Sequence, residues 1–483
     1  MLANNFIEKS TLQKNIFFAF AALIVLFTSI SLLKENYLLA AIPIGVLALI
    51  AIIKDYRFLY YGFWAALPFS IEFYFGSIGM DLPTEPMMLG LTAIAISIFL
   101  QKIGKISFQY LYHPISLFLI IHLIWMFFTS LFSQSQVVSY KFFLAKMWYV
   151  IPFFFFSFHM IKDISIIEKI IKIMAIFLSV AVLIVLTRHA IDGFTFKGSH
   201  HVVRPIFRNH VSYSSILVIV LPFLWAFRSN IKKLKYKRLM SAVICLFVVA
   251  TYFSFTRAAQ GCIIIAIGAY FIIKFRLSKI AILSACILIT LLSSYLVTNN
   301  KYLDFAPNFE KTIAHTSFDN ILEATMKMED ISTMERVYRW VAGSQMIKEK
   351  PIIGYGPGSF YNHYTKYTVS SFETYVSDNP EKSGIHNYYL MTFVEQGFIG
   401  LLLFLGLIFS IILSGEKVYH NLNENRAKNY IMAATLSVIV ICTLCLINDL
   451  IEIDKVGPFF YLCAAIIVIF DFQTRKSIAH DAN

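Results

Sequence analysis

The chain has 483 residues, of which 58% are hydrophobic and only 14% charged, and its mean hydropathy is +0.70. A soluble domain carries roughly 25% charged residues, so a cytosolic enzyme is excluded. The same low charge excludes intrinsic disorder.

What remains is an integral membrane protein, all-α, with 47 Phe and 26 Tyr suited to lipid contact. A spanning helix needs about 20 mostly apolar residues. In chain order, spans are predicted near 15–33, 37–53, 58–76, 86–101, 112–133, 142–160, 167–187, 211–227, 239–255, 258–275, 279–297, 387–414, 428–448 and 456–472. The count is therefore about 12–14. The third and fourth are interrupted by Pro68, Glu72 and Pro86. The first has no small-residue cleavage site and reads as an uncleaved span, not a signal peptide. All six cysteines fall in apolar segments, including the Cys442-Thr-Leu-Cys445 pair. They read as packing residues, without a disulfide framework or zinc site.

Lys and Arg near span ends set the orientation. Lys9, Lys14, Lys54, Arg57, Lys102, Lys105, the cluster from Arg228 to Arg238, Lys274, Arg276, Lys279, Arg475 and Lys476 all fall on one side. That side is predicted to be cytoplasmic. The net charge of +13 is largely this topology signal, so nucleic-acid binding is not invoked. The predicted organisation is an N-terminal bundle over 1–187, an outer loop over 188–210, spans over 211–297, a large outer loop over 298–386 and C-terminal spans over 387–483. The large loop is too long for an idle connector. Within it, Ser332-Thr-Met-Glu335 reads as a capping box. Val337, Trp340, Val341 and Ser344 then mark one helix face, and Pro351 ends the helix. Gly354-Tyr-Gly-Pro-Gly358 follows as a tight turn; as a phosphate cradle it is only weakly suggested.

The outer side gathers polar residues against the membrane: His200, His201, Arg204, Arg208, Asn209 and His210, then Arg257, then Arg336 and Arg339, then His386 and Asn387. Charge at a bilayer boundary suggests a site. Arg257 reads either as a snorkelling side chain or as a guanidinium clamp on a phosphate. Arg204 and Arg208 are candidates to join it. His386 reads either as a solvated loop residue or as a neutral base for an attacking hydroxyl, with activity falling below about pH 6. Lys146 reads as a snorkelling residue or a lipid-phosphate contact. Asp449, Glu452 and Asp454 lie in a short outer loop and read as solvated. No metal site is expected.

Taken together, these motifs resemble the O-antigen ligase superfamily, which includes O-antigen polymerases. The similarity rests on Phe207-Arg-Asn-His-Val-Ser-Tyr213, Ser254-Phe-Thr-Arg-Ala-Ala259, Glu335-Arg-Val-Tyr-Arg-Trp340 and Glu349-Lys-Pro-Ile-Ile-Gly-Tyr-Gly-Pro-Gly-Ser-Phe360. It is completed by His386-Asn387, nine residues, then Gly397-Phe-Ile-Gly400. These cover about residues 200–410; the first 190 residues match only in hydropathy. The resemblance implies a GT-C-like glycosyltransferase of the bacterial inner membrane, with its site facing the periplasm. The implied donor is a glycan on undecaprenyl pyrophosphate, and ligases move it onto lipid A–core. The alternative is an O-antigen or exopolysaccharide polymerase with the same donor. A lipid-linked oligosaccharide transporter is a distant third. By the same resemblance His386 is the catalytic base, Arg257 binds pyrophosphate, and Arg204 or Arg208 supplies a second arginine. Arg336, Arg339, Asn387, His210 and Lys146 are further candidate contacts. Neither a metal nor a cofactor is implied, and the partners are the lipid-linked donor, the glycan or lipid A–core acceptor, and membrane lipids. Tyr355, Phe360, Tyr361 and Tyr364 either cover the acceptor or pack the loop.

Overall fold

The computed structural model describes residues 22–23, 25–27, 29–30, 45–46, 49–75, 78–103, 108–298, 301, 331–369 and 383–481. Residues 1–62 and 63–483 form two compact units. Eleven described helices are long and apolar enough to cross a membrane. Each matches one predicted span. The first two predicted spans, 15–33 and 37–53, fall mainly outside the described residues.

The predicted span at 58–76 does not form. Helix α1 covers only Arg57–Ala66 and passes through a 3-10 turn at Leu67–Phe69. Ten helical residues rise about 15 Å, half the hydrocarbon thickness. Pro68, which lacks an N–H, lies within that turn. The chain then turns into an antiparallel hairpin, β1 Ile71–Phe75 and β2 Ile78–Leu82. Its register sets Glu72 opposite Asp81. Like charges directly opposed destabilise a hairpin, and Arg208 answers them, 2.8 Å from Glu72 and 3.9 Å from Asp81.

The spans follow in order: α2 Thr84–Gln101, α3 Pro114–Leu131, α4 Gln136–Met160 and α5 Ile164–Ile191. A short helix, α6 Phe196–His201, lies in the loop that follows α5. Then come α7 His210–Asn230, α8 Leu234–Phe253, α9 Arg257–Lys274 and α10 Ser278–Val297. The large loop holds α11 Ile331–Glu349 and the one-turn α12 Phe360–His363. The last spans are α13 Tyr388–Asn421, α14 Asn425–Leu444 and α15 Gly457–Asp481. Helices α7, α14 and α15 form the buried centre, whereas α10 lies almost wholly at the periphery. Packing is pairwise between α7 and α14, α3 and α13, and α13 and α14. The cysteines are free, with Cys442 and Cys445 buried at the end of α14.

Two spans depart from regular helix for visible reasons. In α4 the ladder widens to π geometry over Ile151–Phe155, where Pro152 supplies no donor. In α13 Gly397 has φ +71° and breaks the helix. A Cβ there would overlap the carbonyl of Ile352, so only glycine fits. The kink is held by the side chain of Gln396, which meets His122 Nε2 at 2.9 Å, and by the Gln396 carbonyl, which accepts from Trp125 Nε1 at 2.8 Å.

Candidate active site at the outer face

The Gly-rich turn closes round this kink. Gly354, Gly356 and Gly358 all have positive φ, the conformation glycine permits. The amides of Tyr355 and Gly356 donate to the carbonyls of Val394 and Glu395. Those of Gly358 and Phe360 donate to the two carboxylate oxygens of Glu395, at 2.8 and 3.1 Å. The turn therefore holds a protein carboxylate. It also fixes the loop to α13.

Helix α11 starts at Ile331, one residue ahead of the predicted cap Ser332. Its buried face is Met334, Tyr338, Val341, Ala342 and Met346. The predicted face is thus rotated: Ser344 is exposed. Polar groups take part in the docking, which hydrophobic spacing does not reveal. Arg339 is 5% exposed and donates to Glu335 and to the Gly384 carbonyl, both at 3.2 Å. Trp340 Nε1 donates to the Ile385 carbonyl at 3.0 Å. Helix α11 is thereby fastened over the segment 384–387. Of the loop aromatics, Tyr355, Phe360 and Tyr364 are buried, and Phe360 and Tyr364 stack on each other. They pack the loop.

His386 lies between this fastening and α13. Its φ is +56°, an uncommon backbone for a residue with a Cβ. Two contacts hold it. Its amide donates to Asp449 Oδ2 at 3.1 Å. The next residue, Asn387, caps α13, its side chain accepting from the Leu390 amide at 2.9 Å. Burial, with Arg336 and Arg339 nearby, pushes the His386 imidazole down to about 3. It is neutral through the physiological range. Burial raises Asp449 to about 7, partly offset by the amide of His386.

The short loop 445–456, expected to be solvated, is the buried floor of this region. Ile451 and Val456 are fully buried. Its carboxylates are taken by distant parts of the chain: Asp449 by His386, Glu452 by Lys146 and the Tyr388 hydroxyl, and Asp454 by Thr84 Oγ1 at 2.9 Å. Lys455 Nζ donates to the carbonyls of Leu67 and Ser70 at 3.2 and 2.8 Å. Lys146 turns inward, with a side chain 2% exposed, onto Glu452 and onto Tyr388 Oη at 3.1 Å. This internal ion pair stands where a snorkelling side chain or a lipid-phosphate contact was expected. Breaking a buried pair costs about 3–5 kcal/mol, because the other charge is stranded. Lys146→Met should therefore lower the thermal midpoint of the purified protein sharply. Adding Glu452→Gln should recover part of it. An unchanged midpoint in the single variant would mean that the pair does not support the fold.

The remaining candidates divide into two groups. His200 and His210 pack edge to face at 4.3 Å, and the Nδ1 of His210 is buried without a hydrogen-bond partner among the described residues. Arg336 donates to the Ile447 carbonyl and lies within electrostatic reach of both His386 and His210. Thr256 Oγ1 meets the His210 carbonyl at 3.4 Å and makes no side-chain cap to α9, whose first residue is Arg257. His386, Arg336, His210 and the start of α9 thus form one neighbourhood. Arg204 and Arg208 instead line a cavity of about 310 Å³ with Glu72, Asp81, Asp454 and Lys455. There Arg208 is paired with the hairpin carboxylates, and Arg204 Nε donates to the Arg208 carbonyl at 3.3 Å.

The fold is that of a polytopic membrane protein, and it gathers a histidine–arginine cluster at one end of the helix bundle. Residues 241–405 match the model of the O-antigen ligase family. The match includes Arg257, Arg336, Arg339, His386 and Asn387, and it excludes Lys146, Arg204, Arg208 and His210. It supports a ligase- or polymerase-like enzyme acting on lipid-linked glycans. A search of curated proteins gave no match.

Proposed function

We propose that the protein is an O-antigen ligase-like glycosyltransferase of the bacterial inner membrane, moving a glycan from undecaprenyl pyrophosphate to lipid A–core at the periplasmic face. The single observation that carries this reading is His386. It is neutral, held at an unusual backbone angle, and placed next to arginines in the family-matched segment. The acceptor hydroxyl attacks the anomeric carbon of the donor sugar with inversion. His386 takes the hydroxyl proton as the new glycosidic bond forms. The bond from that carbon to the phosphate oxygen breaks, and the electron pair leaves with the pyrophosphate. Arg257 and Arg336 stabilise the charge that develops there. Arg257 opens α9, so its guanidinium adds to the positive end of a helix dipole, which favours an anion. No metal is used in this scheme, because the arginines supply the positive charge.

Arg204 and Arg208 lie in the separate cavity beside the hairpin, and of the two only Arg204 has no carboxylate partner among the described residues. Arg208 already neutralises Glu72 and Asp81. The polymerase reading uses the same donor and the same residues. A deletion strain separates the two on a lipopolysaccharide gel. Loss of the whole ladder with accumulated lipid-linked polymer is the expected ligase result. A single-repeat band would assign polymerase, and an unaltered ladder would overturn both.

A further inference from the structure

We propose a second binding site at the opposite, Lys/Arg-rich face: a pocket for the phosphate of an anionic glycerophospholipid headgroup. A cavity of about 410 Å³ opens there among the ends of α3, α9, α10, α13 and α15. Four cations line it, Arg276, Lys279, Lys417 and Arg475, against two carboxylates, Glu416 and Asp471. Both carboxylates are already engaged by the protein. Glu416 accepts from the amide and hydroxyl of Ser278, at 3.2 and 2.6 Å. Asp471 lies 3.3 Å from His113 Nε2 and 2.5 Å from an Arg475 guanidinium nitrogen. Among the described residues, the side chains of Arg276, Lys279 and Lys417 have no hydrogen-bond or ion-pair partner. With four cations against two carboxylates, the pocket carries a net positive charge.

The backbone at Arg276 is a second, independent observation. The chain leaves α9 by a two-bond cap: the Arg276 amide donates to Ile273 and the Leu277 amide to Ile272. The residue at this position is usually glycine, because φ is positive; Arg276 has φ +60°. An arginine is thus held in a strained backbone on the cavity wall, and strain of this kind gathers at ligand sites. The cavity lies at the ends of the spanning helices. Basic pockets between spanning helices at such a face suit anionic headgroups.

The test uses the purified full-length protein in neutral detergent, titrated with phosphatidylglycerol or phosphatidylcholine and read by native mass spectrometry. Wild type should bind phosphatidylglycerol saturably and phosphatidylcholine weakly. Removing a cation should weaken binding roughly fivefold, so Arg276→Gly with Lys417→Gln should weaken it about 25-fold. Arg276→Gly relieves the backbone strain, so the variant remains folded. Lys279→Gln with Lys417→Gln leaves the turn intact and should weaken binding similarly. Lys232→Gln with Lys235→Gln, at the same face but outside the cavity, should leave it unchanged. Equal binding in the cavity variants, or equal loss in the Lys232 and Lys235 variant, would overturn the site. Displacement of the lipid by 10 mM inorganic phosphate would overturn the lipid as ligand and assign a soluble phosphate compound.

Discussion

His386→Ala should lower turnover by roughly 10²–10⁴, with binding of the lipid-linked donor little changed. On the proposed mechanism the variant would lose the proton acceptor, while Arg257 and Arg336 would still hold the phosphates. The pH profile carries a further test. The imidazole is pushed down to about 3 in the free protein by burial, then by Arg336 and Arg339. The neutral form is the active one, so activity attributable to His386 is present above its folded value. It is lost only as pH falls towards that value, well below the ordinary histidine range. A base held this low is weak. On the proposed mechanism, bound pyrophosphate would bring negative charge beside the same arginines and raise the imidazole, so donor binding would strengthen the base. The acid limb of kcat should consequently lie at higher pH than that of kcat/KM, since the first reports the donor complex. Asp449, raised to about 7, titrates separately and should produce any limb near neutrality. Asp449→Asn should remove that limb and leave the lower one in place. Normal turnover by His386→Ala at saturating donor would show that His386 positions the donor and is not the base.

The sequence makes the spans legible because lipid imposes a strong local rule. A helix that crosses must be apolar for about 20 residues, and that rule is read in one window. The hairpin at 71–82 defeats it. The apolar run has spanning length, and its only warnings are Pro68 and Glu72. That Glu72 meets Asp81 and then Arg208 is a tertiary fact. The tight turn at Gly354–Gly358 was legible because positive φ asks for glycine. Its occupant was not, since Glu395 lies 37 residues from Gly358. The loop 445–456 shows the limit most clearly. Three acidic residues between two spans read as solvated, yet Glu452 pairs with Lys146, 306 residues away. No local pattern announces such a partner. The one signal available was Lys146 itself, a cation inside an apolar helix, which had to be paired or to reach the surface. For His386 the sequence supplied the residue and its motif. The positive φ, the hold of Asp449 and the depressed imidazole came only with the fold.

Arg257→Ala should reduce transfer by at least roughly 10²–10³, the cost of removing one preorganised stabiliser of developing charge, while the protein stays in the membrane. The reason lies in its place at the start of α9. Arg257 is the first residue of α9, so its charge lies at the positive end of the helix dipole, which favours an anion. An anion bound there is met by charge and by directed hydrogen bonds at once. Arg257→Lys separates these contributions. It restores the charge but not the planar fork, so it should recover only a minor part of the activity. Neither substitution empties a packed core, since the Arg257 side chain is only half-buried, so thermal midpoints should remain close to wild type. The decisive comparison measures donor binding and single-turnover transfer for all three proteins at low and high salt. Pyrophosphate recognition predicts weaker donor binding in Arg257→Ala and slower transfer even at saturation. Full transfer by Arg257→Ala would remove Arg257 from the site and leave it as a residue that reaches from the helix end to the membrane surface.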